Sequence, residues 1–376
     1  MNATIKLGRW FGVPIGLHYS WFIVAALITV SLISAFTRQY PTWTPLVIWP
    51  TAILTAVLFF VCIVLHELAH AAVARLGGLT VNGITLFALG GVAQIAKEAT
   101  SPGWEFSIAI VGPIASAVIA TMCQLTAYGL GWTGEGTGAS PIAAMLVWLG
   151  YVNIALAIFN MIPGFPLDGG RVLRAIIWAV VGSAERATKI ASAVGQVIAL
   201  VFIALGLAGV MRRGDVGGLW LAFIGWFLLE AARSNYVAVE MRSRLRGVRV
   251  ADLMTRDCAL VDANVTVQDF VNGHLLRGLA PCFVVHQHGD PIGLVTAQDV
   301  ERMPATSRAH VMVSEIVHRL DQSPSVEPDT PATTALELMS REHVNELPVV
   351  EHGHFEGIVV QSNILRRLQL QQALKA

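Results

Sequence analysis

The chain has 376 residues, of which 55% are hydrophobic and 13% are charged. Soluble domains carry about 25% charged residues, so this composition excludes an ordinary water-soluble protein. The formal net charge is zero, and no basic region favours nucleic acid as a partner. Charged residues are sparse as far as about Glu230 and frequent after it, which predicts a membrane part followed by a soluble part.

Six apolar stretches approach the length of about 20 residues that a membrane-spanning helix needs. They cover 19–36, 46–74, 106–130, 142–161, 190–210 and 218–232. The first of them lacks the features of a cleaved signal peptide. A further apolar stretch, 172–181, is too short to span and is expected to be re-entrant or interfacial.

Basic residues in the short connections predict the orientation of these spans. One side carries Lys6, Arg9, Arg75, Lys97, Arg171, Arg174, Arg186, Lys189, Arg233, Arg242, Arg244 and Arg246. The opposite side carries Arg38 and the pair Arg212-Arg213, and only that pair runs against the trend. We therefore expect both termini in the cytosol, together with the end of the second span.

The connection between the second and third spans has the composition of strands. Residues 77–95 (GGLTVNGITLFALGGVAQI) are rich in β-branched residues and glycine, which predicts a hairpin with a turn at Gly90-Gly91. Unpaired backbone amides are costly beside a membrane. The strands are therefore expected to pair with each other or with a segment that arrives from elsewhere.

The strongest chemical motif is His66-Glu67-Leu68-Ala69-His70, which ends the second span. Residues four apart lie on one face of a helix, so both imidazoles can bind one metal ion. Glu67 lies beside them as a general base for the attack of water on a peptide carbonyl. A lone histidine there is usually a packed or interfacial residue, but two histidines and a glutamate are expensive at membrane depth and indicate function.

A catalytic zinc ion needs a third protein ligand, and Asp168 is the candidate. It lies in NMIPGFPLDGGR (160–171), where Gly169 and Gly170 permit close backbone approach. The alternative is that Asp168 caps a helix over 172–181. Taken alone, the two interpretations are about equally good, but the HExxH motif favours a ligand.

Together, HELAH and NMIPGFPLDGGR resemble the site-2 protease family of intramembrane zinc metalloproteases. The resemblance covers nearly all of 5–232 and includes GVPIGLHYSW, LGGVAQI and the Gly-Pro of IVGPIASA. It implies one zinc ion per chain held by His66, His70 and Asp168, with Glu67 as the catalytic base. Asn160 matches the family asparagine that stabilises the oxyanion or positions the substrate, and a helix C-cap is its alternative role.

The same resemblance gives the hairpin a function. Residues 85–95 are similar to the family segment proposed to bind the substrate as an added strand, because a protease needs its peptide extended. Gly90 and Gly91 are therefore candidate substrate-binding residues.

The last third of the chain contains an imperfect repeat, 250–300 and 313–365. Each copy is predicted as helix, strand, helix, two strands joined by a tight turn, and helix. The repeat resembles a CBS-domain pair, a module that commonly binds adenosine nucleotides through G-x-x-T/S-x-x-D. Copy one matches this motif with Gly293, Thr296 and Asp299, whereas copy two has Gly357, Val360 and Asn363.

We therefore expect one nucleotide site at most, with Thr296 and Asp299 as its cofactor-binding residues. A purely structural or dimerising module is the alternative. The four cysteines, Cys62, Cys123, Cys258 and Cys282, are far apart, and no disulfide is expected.

The predicted fold is a polytopic α-helical membrane protein of about six transmembrane helices with a membrane-associated β-hairpin, followed by an α/β tandem CBS domain. Its predicted parts are a protease domain (1–235), a basic linker (236–249) and a regulatory domain (250–376). The predicted protein is a multi-pass, intramembrane zinc endopeptidase of a prokaryotic cell membrane, gated by the CBS pair. Its expected partners are a transmembrane protein substrate, the lipid bilayer, an adenine nucleotide and a second copy bound through the CBS domains. A CBS-regulated transporter and an inactive relative that only binds membrane proteins are the alternatives.

Overall fold

The computed structural model describes residues 5–10, 12–87, 90–95, 99–133, 140–214, 216–278, 282–320, 322–342, 344–352 and 354–373. The chain forms two compact units, one up to Val239 and one from Glu240.

The helices of the first unit begin at residues suited to helix starts. They are α1 (Ser20–Gln39), α2 (Pro45–Leu76), α3 (Pro102–Gly129), α4 (Pro141–Asn160), α5 (Asp168–Val181), α6 (Ala184–Arg213) and α7 (Val216–Arg244). Proline, which needs no amide partner, is the first residue of α2, α3 and α4. The side chains of Ser101, Ser140 and Ser183 accept backbone hydrogen bonds at the starts of α3, α4 and α6.

Five described helices, α1 to α4 and α6, are long and apolar enough to cross a membrane. They coincide with five of the six predicted spans. The sixth, 218–232, is helical but lies in α7, which is not among the five and whose second half is polar. Among the described helices the count is therefore five rather than six. The short stretch 172–181 lies in α5, whose 14 residues extend about 21 Å, too short for a core of about 30 Å.

The predicted hairpin is half of a larger sheet. Strands β1 (Ile5–Trp10), β2 (Val13–Leu17), β3 (Val81–Phe87) and β4 (Gly90–Ile95) pair in that order. β1 and β2 form an antiparallel hairpin, as do β3 and β4, and β2 runs parallel to β3. The N-terminal segment is thus the arriving partner, and α1 and α2 supply the long connection that parallel strands require.

The prediction of a turn at Gly90-Gly91 is wrong. Gly90 pairs with Phe87 and Gly91 pairs with Leu86, so both glycines belong to β4. Residues 88–89, between the two strands, lie outside the described residues.

The main apolar core of the first unit joins this sheet to α2. Ile15 of β2 and Ile84 of β3 are 2% and 1% exposed, and they pack with Val64, Leu68 and Ala71 of α2. The sheet is therefore fixed against the part of α2 that carries the two histidines.

The second unit confirms the predicted repeat. It contains β5 (Ala259–Asp262), α8 (Val267–Phe270), β6 (Phe283–Gln287), β7 (Asp290–Val295), α9 (Ala297–Glu301), α10 (Val313–Ile316), β8 (His318–Arg319), α11 (Ala332–Glu342), β9 (Glu346–Glu351), β10 (His354–Val360) and α12 (Gln361–Ala373). His288 and His352 take positive φ in the two tight turns, and Gly353 lies outside the described residues.

The two copies complete each other's sheets. β8, at the start of copy two, pairs with β7 of copy one. Thr255, at the start of copy one, forms the equivalent antiparallel bridge to Ile358 of β10. The two copies are therefore joined by backbone pairing as well as by packing.

The expectation of no disulfide is wrong. Cys258 and Cys282 are bonded, with their Cα atoms 4.8 Å apart and a separation of 24 in the chain. Each precedes a strand, and the parallel register that pairs Ala259 with Phe283 makes the two cysteines neighbours. This register is a tertiary property, and the spacing of the cysteines gives no sign of it.

The first part of the predicted linker is structured. α7 continues as far as Arg244, and Leu245 is 2% exposed in a core cluster with Val250 and Met339.

Candidate metal centre

The HExxH motif lies on α2, as predicted, and its two histidines face the protein interior. His66 and His70 are each 4% exposed. Their Nε2 atoms are 3.2 Å apart, because residues four apart lie one above the other on a helix. Both nitrogens therefore point at one position.

Asp168 comes to the same position from a distant part of the chain. Its Oδ2 atom lies 3.2 Å from the Nε2 atoms of both His66 and His70. The candidate ligand atoms of the three residues all lie within 4.8 Å of one another. The helix-cap alternative is not supported, since Leu167 is the N-cap and Asp168 is the first residue of α5.

The two glycines after Asp168 allow α5 to start against the preceding segment. A Cβ at Gly169 would lie 2.4 Å from the carbonyl carbon of Met161, and one at Gly170 would lie 2.3 Å from that of Gly164. The close approach predicted for both glycines is thus observed.

Helix α3 holds the outer side of both imidazoles. The Nδ1 atom of His70 lies 2.5 Å from the carbonyl oxygen of Ile108, and that of His66 lies 2.9 Å from the Ser116 hydroxyl oxygen. When each Nδ1–H donates to its oxygen, the Nε2 lone pairs are left free for a metal ion. Such outer partners orient metal-binding histidines.

Gly112 of α3 makes room at the centre of the site. A Cβ at this position would lie 2.2 Å from Nε2 of His70 and 2.7 Å from Nε2 of His66. Two imidazoles and a carboxylate, with oriented rings and a clear space before them, fit the donor set of zinc. Sequence reasoning missed the roles of Ile108 and Ser116, although a serine four residues after Gly112 in an apolar run was an available signal.

Glu67 and β4 lie side by side. A Cβ on Gly91 would lie 2.7 Å from Cγ and 3.2 Å from Cδ of Glu67. β4 is at one edge of the sheet. The unpaired edge of this strand therefore lies close to Glu67. Asn160 is the half-buried last residue of α4, eight residues before Asp168. The C-cap of α4 is Met161.

The second unit contains a separate cavity of about 350 Å³ that is lined by Thr296 and Asp299. The Thr296 amide and hydroxyl donate to Asp299 Oδ2 at 2.9 and 2.7 Å, and His318 Nε2 lies 2.7 Å from Asp299 Oδ1. Glu346 also lines the cavity. Its burial, together with the charge of Asp299, raises the pKa of its carboxyl to about 7, although His318 opposes the shift.

The equivalent position in copy two has a structural use. The Asn363 amide donates to the Thr255 hydroxyl at 3.2 Å. Asn363 thus links copy two to copy one, at the position where no ligand site was expected.

Known proteins resemble this chain over its whole length. It is 35% identical over 372 residues to the putative zinc metalloprotease Rip3 of Mycobacterium tuberculosis, covering 98% of this chain and 94% of the relative. It is 32% identical over 382 residues to a putative zinc metalloprotease of Synechocystis, covering 99% and 97%. The chain belongs to the site-2 zinc metalloproteases, peptidase family M50.

The family models agree with this membership. The Peptidase family M50 model matches 54–138 and 134–202 of the protease, and the CBS domain model matches 310–370. The solved site-2 protease of Methanocaldococcus jannaschii is 29% identical, with a TM-score of 0.43, and the match covers 62% of this chain and 94% of that one. The protein is thus an integral membrane zinc metalloprotease with a C-terminal CBS pair, and the transporter alternative is not supported.

Proposed function

We propose that this protease cleaves transmembrane segments of other membrane proteins. In this proposal His66, His70 and Asp168 hold one zinc ion per chain, and Glu67 is the general base. The observation that carries it is the convergence of three ligand atoms at 3.2 Å on helices of the membrane unit. Such a group is costly at membrane depth without a function.

The chemistry divides between the metal and the chain. Zinc, when bound, polarises the peptide carbonyl and lowers the pKa of water. Glu67 takes the proton of the attacking water and returns it to the leaving amine, a role that usually contributes about 10²- to 10⁴-fold to a rate. The Asn160 amide donates a hydrogen bond to the carbonyl oxygen as it gains negative charge.

The substrate is proposed to bind as an extra strand on β4. A transmembrane helix hides its peptide bonds in its own hydrogen bonds, so it must unwind before cleavage. Backbone pairing with an edge strand stabilises the extended form. Gly91 supports this role because a Cβ there would lie 2.7 Å from Cγ of Glu67, and Gly90 precedes it on the same strand.

The CBS pair is proposed to gate the protease by binding an adenine nucleotide at Thr296 and Asp299. The cavity beside these two residues supports this assignment. Dimerisation through the CBS domains and a cytosolic location of both termini belong to the same proposal, and the basic residues of the connections support the latter.

The test compares matched glutamate substitutions in detergent-purified protein. Glu67→Gln is expected to keep about one zinc per chain and to lose cleavage of a single-span model substrate by at least about 100-fold. Glu230→Gln, an exposed position of α7, is the control and should match the wild type in both measurements. Asp168→Ala should lose zinc.

Two results would contradict the proposal. One is a wild type that binds no zinc after reconstitution, and the other is undiminished cleavage by Glu67→Gln. In the same assay, ATP or AMP should change cleavage by the wild type but not by Thr296→Ala. An unchanged rate with either nucleotide would remove the gating role and leave the protease assignment intact.

A further inference from the structure

A cluster of three charges, of which Glu105 and Arg174 are buried and Arg171 is partly exposed, joins the start of α3 to α5. Glu105 is 1% exposed. Its Oε1 atom lies 3.1 Å from Nε of Arg171 and 3.3 Å from Nη1 of Arg174. Buried charges are retained only when they are paired, so this triad joins α3 firmly to α5.

The triad lies on the same faces as the candidate metal site. On α5, Asp168, Arg171 and Arg174 follow one another at intervals of three and share one side of the helix. On α3, the residues that contact α5 and the two histidines follow at intervals of three or four: Glu105, Ile108, Gly112 and Ser116. One face of α3 therefore contacts both the helix that carries the histidines and the helix that carries the aspartate.

Asp168 depends on this contact for its position. It is the first residue of a 14-residue helix that follows the irregular segment 161–167. The charged contact is made three and six residues after Asp168, so it fixes the first two turns of α5. An arginine side chain bonds a carboxylate in a defined direction, which sets the position of a helix more narrowly than apolar packing does.

We propose that Glu105 is a positioning residue of the zinc site: through Arg171 and Arg174 it holds the Asp168 carboxylate against the two histidine nitrogens. This inference rests on the proposed zinc site. A positioning role can be told from a stabilising role by experiment. Buried ion triads are often replaced by apolar residues without loss of stability, so such a replacement can change zinc binding while the fold remains stable.

The decisive variant is the triple substitution Glu105→Met, Arg171→Met and Arg174→Met. It removes the three charges of the triad together, so that no member of the triad keeps its charge without its partner. We expect a thermal midpoint close to that of the wild type and a zinc Kd that is about 10- to 100-fold higher. This is the usual effect of removing a partner that orients a metal ligand. Zinc affinity is measured by competition with a chelator, so the result does not depend on turnover.

Two further variants complete the design. Glu105→Asp keeps the charge and shortens the side chain by one methylene; it should fold and bind zinc at least about threefold more weakly. Glu185→Gln removes one charge from the partly exposed Glu185–Lys189 pair of α6 and should not change the zinc Kd.

The outcomes separate the two proposals. A triple variant with wild-type zinc affinity overturns the positioning role while the zinc site stands. If the triple variant does not fold, Glu105→Asp decides, and wild-type affinity in that variant overturns the role. A wild type without zinc contradicts the proposed function itself.

Discussion

Replacing Gly112 with alanine tests the central geometry of the zinc site with one added carbon. The new Cβ would lie 2.2 Å from Nε2 of His70 and 2.7 Å from Nε2 of His66. Zinc binds imidazole nitrogen at about 2.0–2.1 Å. The methyl group would therefore occupy much of the space from which a metal ion contacts both rings.

The magnitude follows from the displacement that is needed. Ordinary contacts between such atoms are about 3.5 Å, so the His70 ring or α3 has to move by about 1 Å. Loss of the correct orientation of a metal ligand costs about 10- to 100-fold in metal affinity, which is about 1.4–2.7 kcal/mol. Alanine also favours helix over glycine by roughly 0.5–1 kcal/mol, so the fold should persist while zinc affinity falls.

The assay is zinc affinity by chelator competition, with the thermal midpoint measured beside it. Gly103→Ala is the matched control, because it makes the same substitution in the same helix at a position where a Cβ meets nothing within 4 Å. It should bind zinc like the wild type. Equal zinc affinity in the Gly112→Ala and Gly103→Ala variants would refute the placement of α3 against the histidines.

Two further predictions concern other parts of the chain. In the Gly91→Ala variant the added Cβ would lie 2.7 Å from Cγ of Glu67. The rate of cleavage should therefore fall at least about tenfold, with the zinc content unchanged. An unchanged rate would contradict the placement of β4 beside Glu67. Glu346 has a pKa raised to about 7 by burial and by Asp299, so its contribution to stability is present below its ordinary pKa and is lost as pH rises through about 7. As pH rises, the Glu346→Gln variant should therefore become more stable than the wild type, by about 3 kcal/mol at most. The measurement is thermal unfolding followed by circular dichroism at several pH values. A difference in stability that does not change with pH would contradict the raised pKa.

Patterns of fixed local spacing in the sequence determined much of this protein by themselves. Apolar runs of helical length predicted the spans because the bilayer thickness sets their length. The HExxH spacing placed His66 and His70 on one face of a helix. Asp168 followed because a pair of histidines leaves zinc one protein ligand short. The CBS repeat was evident because each copy repeats the same order of elements.

Contacts between distant segments were decided by the tertiary structure alone. The pairing of β2 with β3, the Cys258–Cys282 bond and the place of Gly90 and Gly91 inside β4 all depend on strand register, which local composition does not specify. Glu105 carries no signal in the sequence, because its partners lie on another helix, more than sixty residues away.

The zinc site shows the same division at atomic scale. The side chains that can bind the metal were predictable from the sequence, since their chemistry belongs to the residues themselves. The packing of α3 then decided how those side chains are held, through Gly112, Ile108 and Ser116. These positions act on the site only because α3 lies against α2: what the missing Cβ of a glycine or a backbone carbonyl contacts depends on which helix packs there.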